Sequence, residues 1–191
     1  MKILKSALIF FLFLSFFALP ATKKILMVIA FDKFRDEEYS EPRKIIEENG
    51  YKVVVASWKK GIATGMLGKK VKVDITLKDI KVGDYDGVIF VGGIGASRYF
   101  ENKIVWKIIQ EFYNKKKVVG ALCLSPVILA NAGILKGKKA TCWFSVARMI
   151  KKKGAIYTGK KVEIDGLIIT GNGPSAAKEF GEKYLKLLSP K

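Results

Sequence analysis

The 191-residue chain contains no histidine. That absence removes the imidazole base of a cysteine–histidine peptidase, and a homodimer would lack it equally. Acidic residues are also scarce: 17 Asp and Glu stand against 35 Lys and Arg, for a formal charge of +18. Such a balance can serve nucleic acid or an anionic membrane surface. Here no Arg-rich stripe is interleaved with aromatics, and the lysines fall in short groups at expected turns, such as Lys59-Lys60, Lys115–Lys117 and Lys151–Lys153. The pattern reads as a solvated surface of the kind common in heat-adapted proteins, with no nucleic-acid partner. No G-x-G-x-x-G follows the first strand, which argues against a dinucleotide fold. Cysteine is limited to Cys123 and Cys142.

Long apolar runs are limited to the start. Met1–Lys5 carries two lysines and Ala7–Ala21 is almost wholly apolar. The run is short for a membrane span, which needs roughly 20 residues. Residues 1–21 are therefore expected to be a signal peptide or an uncleaved anchor. No cysteine follows, which argues against a lipoprotein. The protein is expected to be exported, and to touch a membrane only if this segment is retained.

The remainder, 24–190, reads as one domain. Buried-type runs at Lys24–Ala30, Tyr51–Ala56, Gly87–Val91 and Val118–Leu122 alternate with helical patterns at Pro42–Asn49, Ile104–Tyr113, Pro126–Ala132 and Ser175–Leu188. Val71–Leu77 reads as an added strand or half of a hairpin, and Val162–Ile164 with Leu167–Thr170 as a hairpin around Asp165-Gly166. Alternation of this kind predicts an α/β fold with a mostly parallel sheet covered on both faces. Ligands of such sheets bind beyond the carboxyl ends of the strands. The loops leaving those ends are Phe31–Glu41, Gly92–Ala96 and Cys123–Ser125.

Three features in those loops carry chemistry. Cys123 stands between a strand and a helix expected to open with Ser125 as N-cap and Pro126 as first residue. The helix dipole and free N–H groups there favour a thiolate. Gly92-Gly93-Ile94-Gly95 follows another strand. Its N–H groups can approach an oxyanion, or its glycines can simply serve a turn of positive φ. Asp36-Glu37-Glu38 lies in the loop after the first strand. These carboxyls can compensate a helix dipole, or one of them, kept neutral by burial, can donate a hydrogen bond to the sulfur.

Several blocks together resemble the superfamily joining PfpI-type intracellular proteases with the parkinsonism-associated deglycase-like proteins, here called DJ/PfpI. They are Phe34–Glu38 with Pro42, Val88–Gly93, Ala121–Pro126, Ala132–Thr141 and Ile168–Pro174. The resemblance implies a flavodoxin-like three-layer sandwich, usually dimeric and needing no cofactor or metal. It places the reactive cysteine at Cys123 and a buried glutamic acid at Glu38, with oxyanion donors in the backbone N–H groups of Gly93 and Leu124. This sequence departs from the family where it matters. Leu124 stands where protease-type members carry histidine, Cys142-Trp143 where deglycase-like members have theirs, and Asn172 where those members have arginine.

What remains is a cysteine with a carboxyl. A lowered thiol pKa, with Glu38 as proton donor or acceptor, suits attack on small reactive carbonyls of the glyoxalase or deglycase kind. The alternative is a redox-sensing or stress-protective protein that is not an enzyme and uses the same sulfur. Cys142 adds a further possibility, a reversible disulfide with Cys123 that gates the site; otherwise it is a small buried hydrophobe.

Overall fold

The computed structural model describes residues 23–188. The segment read as a signal or anchor, 1–21, lies outside the described residues. Among these, no helix is long and apolar enough to cross a membrane.

In chain order the elements are β1 (Lys24–Val28), β2 (Asp32–Phe34), α1 (Asp36–Glu48), β3 (Lys52–Ser57), β4 (Gly61–Gly65), β5 (Lys70–Val73) and β6 (Ile75–Thr76). There follow β7 (Gly87–Phe90), α2 (Lys103–Asn114), β8 (Val118–Leu122), α3 (Pro126–Asn131), β9 (Lys139–Ala140) and α4 (Ala147–Lys152). The chain ends with β10 (Ile156–Tyr157), β11 (Val162–Asp165), β12 (Ile168–Gly171) and α5 (Ala177–Leu188).

Seven strands form the central sheet in the order β11-β12-β8-β7-β1-β3-β6. Every pair is parallel except the β11–β12 hairpin. Alternate residues of β1 feed opposite layers, as a two-residue period requires. Ile25 and Met27 pack beneath α1 and α5, with Ile46, Phe180 and Tyr184. Leu26 and Val28 pack against Ile109, Phe112, Leu129 and Ile150 of α2, α3 and α4. The result is the expected α/β sandwich of three layers. Each fully buried Ile or Leu contributes roughly 1.5–3 kcal/mol.

The chain moves outward from β1 in both directions, to β3 on one side and β7 on the other. This switch point opens a crevice at the carboxyl ends of β1 and β7, where the loops before β2 and after β7 meet the loop after β8.

Two boundaries differ from the sequence expectation. The first helix begins at Asp36, six residues before Pro42, so Asp36-Glu37-Glu38 forms its first turn and not a loop. Three carboxylates at the positive end of the dipole support that start. Pro42 cannot supply a helical donor to the Glu38 carbonyl, but it fits a close approach. A β-carbon on Gly181 of α5 would stand 2.9 Å from Pro42 Cα. The second difference is Val71–Leu77, which is not one strand. Its first part, β5, pairs with β4 in a small sheet of order β2-β4-β5, and its last part, β6, joins the main sheet. Asp74 divides them: its N–H donates to the Val55 carbonyl at 2.9 Å and its carboxylate accepts the Val55 N–H at 2.8 Å.

Candidate active site

Cys123 follows β8 directly and holds φ of 59°, a left-handed conformation that a side chain disfavours. Three backbone hydrogen bonds impose it. The Cys123 N–H donates to Gly171 O at 2.9 Å, the Trp143 N–H donates to Cys123 O at 2.8 Å, and the Ser125 N–H closes the turn on Leu122 O at 2.9 Å. Strain of about 1–3 kcal/mol held this way is a mark of working sites. Ser125 is not the side-chain N-cap expected of it. Its φ and ψ are already helical, and its hydroxyl, fully buried, donates to Val91 O at 2.9 Å. That bond ties the cysteine turn to the end of the neighbouring strand.

Glu38 reaches the same point from the first turn of α1. It is fully buried, and the Gly92 N–H donates to its Oε2 at 3.0 Å. Oε1 has no partner of ordinary hydrogen-bond geometry, although the Cys123 side chain interacts with this carboxyl. Burial pushes the Glu38 carboxyl up to about 8, against smaller downward pulls from Cys123, the Gly92 N–H and the Arg35 charge. At neutral pH it is therefore an acid that holds its proton. Oε2 accepts from Gly92, so the proton belongs on Oε1, the oxygen without a partner.

The Gly93 and Leu124 N–H groups both act on the sulfur and favour its ionised form. The structure thus brings together all four residues that the resemblance assigned: Cys123, Glu38, Gly93 and Leu124. The thiolate expectation needs correcting. Burial pushes the Cys123 thiol up, to about 12 when an ionised Glu38 stands beside it, and the two N–H donors only moderate this. The helix behind it has six residues and starts at Pro126, too short and too far along to prevail over desolvation. At neutral pH Glu38 holds its proton, and burial works against ionisation of the sulfur while the Gly93 and Leu124 N–H groups favour it.

Gly92 went unassigned in the sequence, and the structure makes it central. A β-carbon there would lie 2.5 Å from both Cys123 Cβ and Glu38 Oε2. Gly93, at φ 96°, and Gly95 leave no more room. Their β-carbons would stand 2.5 Å from Arg35 N and 1.9 Å from Asp32 O. The glycine loop is built for close approach to the β2 segment, and so delivers its N–H groups to the sulfur.

Above Cys123 lies a pocket of about 190 Å³, bordered by Arg35, Met66, Ile94, Leu124, Trp143 and Pro174. Cys123 is 8% exposed, so the sulfur can be reached from it. Arg35 is the charged group at the rim, and its guanidinium pairs with Glu37, Nε to Oε2 at 2.8 Å. Asp36 does different work. Its two oxygens accept the N–H groups of Leu67 and Lys69, at 2.9 and 2.8 Å, and anchor the β4–β5 turn that presents Met66.

Cys142 is fully buried, and both it and Cys123 are free thiols. The two thiols belong to different core layers, Cys142 with the α2–α4 side and Cys123 with the α1–α5 side. They form no disulfide here. Among the described residues no group of three or more His, Cys, Asp or Glu side chains could hold a metal ion.

This fold and this site define a class, and comparison with known proteins agrees. The DJ-1/PfpI family model matches residues 23–187. The chain belongs to the DJ-1/PfpI family. It is similar to an uncharacterised protein of Methanocaldococcus jannaschii, with 49% identity covering 86% of this chain and 82% of that one. It is 30% identical to the protein of Pyrococcus furiosus named deglycase PfpI, covering 86% and 99% of the two chains. A crystal structure of a ThiJ/PfpI domain protein from Brachyspira murdochii superposes with a TM-score of 0.86 at 33% identity, over 87% and 96% of the chains.

Proposed function

We propose that the protein is a cysteine-dependent enzyme acting on small reactive carbonyls, of glyoxalase or deglycase type. The observation that carries the reading is the free Oε1 of a protonated Glu38 beside the Cys123 thiol, in a chain without histidine. A similar protein named a deglycase supports it.

The chemistry follows from two protons and three donors. The sulfur adds to an aldehyde carbon, and the electron pair of the C=O bond moves onto oxygen. Glu38 gives its proton to that oxygen and takes the thiol proton in exchange. No free thiolate accumulates, and the site is neutral before and after. The Gly93 and Leu124 N–H groups stabilise the charge that develops as the proton leaves sulfur. With an α-oxoaldehyde, movement of the C1 hydrogen to C2 as a proton converts the hemithioacetal to a thioester. Water then releases a 2-hydroxy acid and restores the thiol, with no oxidant or reductant consumed. A redox-sensing role has less support, because a thiol raised by burial is oxidised less readily than a thiolate. The lysine-led apolar segment 1–21 favours work outside the cytoplasm, and the family resemblance favours a homodimer.

The test is turnover of methylglyoxal, with lactate followed by proton NMR. Wild type is expected to form lactate, Cys123→Ala none, and Glu38→Gln at a rate lower by about 100-fold or more. Wild type that neither forms lactate nor gains the mass of a hemithioacetal would overturn the proposal.

A further inference from the structure

The pocket over Cys123 is the inner end of something longer. Ile94 and Met66 border it and also border a second cavity of about 520 Å³. That cavity shares Ile94, Asp32 and Lys33 with a third, of about 380 Å³, which reaches Trp58 and Arg98. The three are neighbours with Ile94 common to all, and they lie at the carboxyl ends of the strands between Cys123 and Trp58.

The outer end has its own chemistry. The Arg98 guanidinium lies 4.4 Å over the Trp58 ring, Lys59 Nζ lies 4.7 Å over the same ring and 4.2 Å over Phe31, and the two rings meet edge-on at 6.0 Å. Stacking on an indole fixes the plane of the guanidinium and leaves its N–H fork free for an oxyanion. Lys33 stands in the wall shared by the second and third cavities. It is exposed and held at φ 59°, the same disfavoured conformation as Cys123. Among the described residues, neither Lys33, Lys59 nor Arg98 is in an ion pair. Asp32 is the carboxylate of the third cavity, against Lys33 and Arg98. A cation stacked on an aromatic face, lining one cavity with a lysine of positive φ and with no carboxylate within salt-bridge distance among the described residues, is suited to bind an anionic group.

We infer that this outer end is an anion subsite, and that the substrate is an extended carbonyl compound with a carboxylate or phosphate at the end distant from Cys123. The inference rests on the proposed function for its reactive end and adds the class of molecule. Arg98 binds the anion, Lys33 supports it from the shared wall, and Trp58 holds Arg98 in place.

Two measurements test it. The first compares kcat/KM for an α-oxoaldehyde whose terminal carboxylate lies roughly 14 Å from the aldehyde, the span of three strand spacings, with that for its uncharged methyl ester. Wild type is expected to prefer the anionic aldehyde, and Arg98→Gln to reduce the ratio about tenfold. A wild-type ratio near one, or a ratio unmoved in Arg98→Gln, overturns the inference. The second needs no turnover, so it decides the subsite even if the proposed function fails. Tryptophan emission is titrated with glutarate and with inorganic phosphate. A saturable change that disappears in Trp58→Phe and weakens in Arg98→Gln supports the subsite, and the anion giving tighter saturation tells carboxylate from phosphate. No saturable change with either anion in wild type overturns it.

Discussion

Gly92 holds Glu38 in two ways at once. Its N–H fixes Oε2 at 3.0 Å, and its missing β-carbon leaves the space in which that oxygen and Cys123 Cβ meet. Gly92→Ala would place a methyl 2.5 Å from both, and 2.6 Å from Leu122 O. The backbone atom cannot swing aside. The expected result is a loss of roughly 1–3 kcal/mol in denaturant unfolding. With it comes a changed rate of Cys123 alkylation by iodoacetamide, because carboxyl and sulfur must separate.

The raised pKa of Glu38 links stability to pH. Its ordinary value is 4.5 and its folded value about 8, so between these the folded chain binds the extra proton. Stability must fall as pH rises through that window, and level off above it. The full shift corresponds to roughly 5 kcal/mol as an upper bound. Glu38→Gln, neutral at every pH, is expected to remove the slope and to be the more stable chain at pH 8. Urea midpoints between pH 5 and 8 check both statements. Carbonyl turnover by wild type is expected to decline through pH 8 as the same proton leaves.

Asp36 anchors a turn without touching the sulfur. Asp36→Asn leaves one of the Leu67 and Lys69 N–H groups facing an amide donor. The cost is expected at about 1–3 kcal/mol, concentrated in the β4–β5 hairpin. Hydrogen exchange should accelerate at Leu67 and Lys69 while the amides of β7 and β8 stay protected.

Cys142 and Cys123 are expected to behave independently. After mild oxidation of the native protein, intact mass should show no loss of two hydrogens. Cys142→Ala should cost about 1–2 kcal/mol as a small cavity, with the Cys123 alkylation rate as in wild type. A Cys123–Cys142 disulfide found by peptide mapping would show that the two layers can exchange these side chains.

Periodicity was enough to read the layers, because a strand buried on both faces is a continuous apolar run and α2 carries its buried residues Val105, Ile108, Ile109 and Phe112 at helical spacing. It could not show the β2-β4-β5 sheet. A three-residue strand containing Lys33 in a left-handed conformation has no alternation to read. Pro42 hid the true start of α1, since the contact with Gly181 that favours it comes from the other end of the chain. That one carboxyl of Asp36-Glu37-Glu38 meets Cys123 was legible in the residues, and only the resemblance singled out Glu38. The neutral carboxyl was read from the sequence, but the burial that opposes ionisation of the sulfur was not, because a helix behind the cysteine is visible in sequence and the desolvation around it is not. Gly92 carried a signal that could have been used: two successive glycines at a strand end, where one suffices for a turn.

The backbone of Cys123 has a consequence of its own. At φ 59° any side chain is a burden and glycine is the natural occupant. Cys123→Gly should therefore lose the sulfur at little cost in stability, or even with a gain of about 1 kcal/mol. At this corner the backbone favours glycine while the core contacts of the side chain favour cysteine, and the stability of Cys123→Gly measures which is larger.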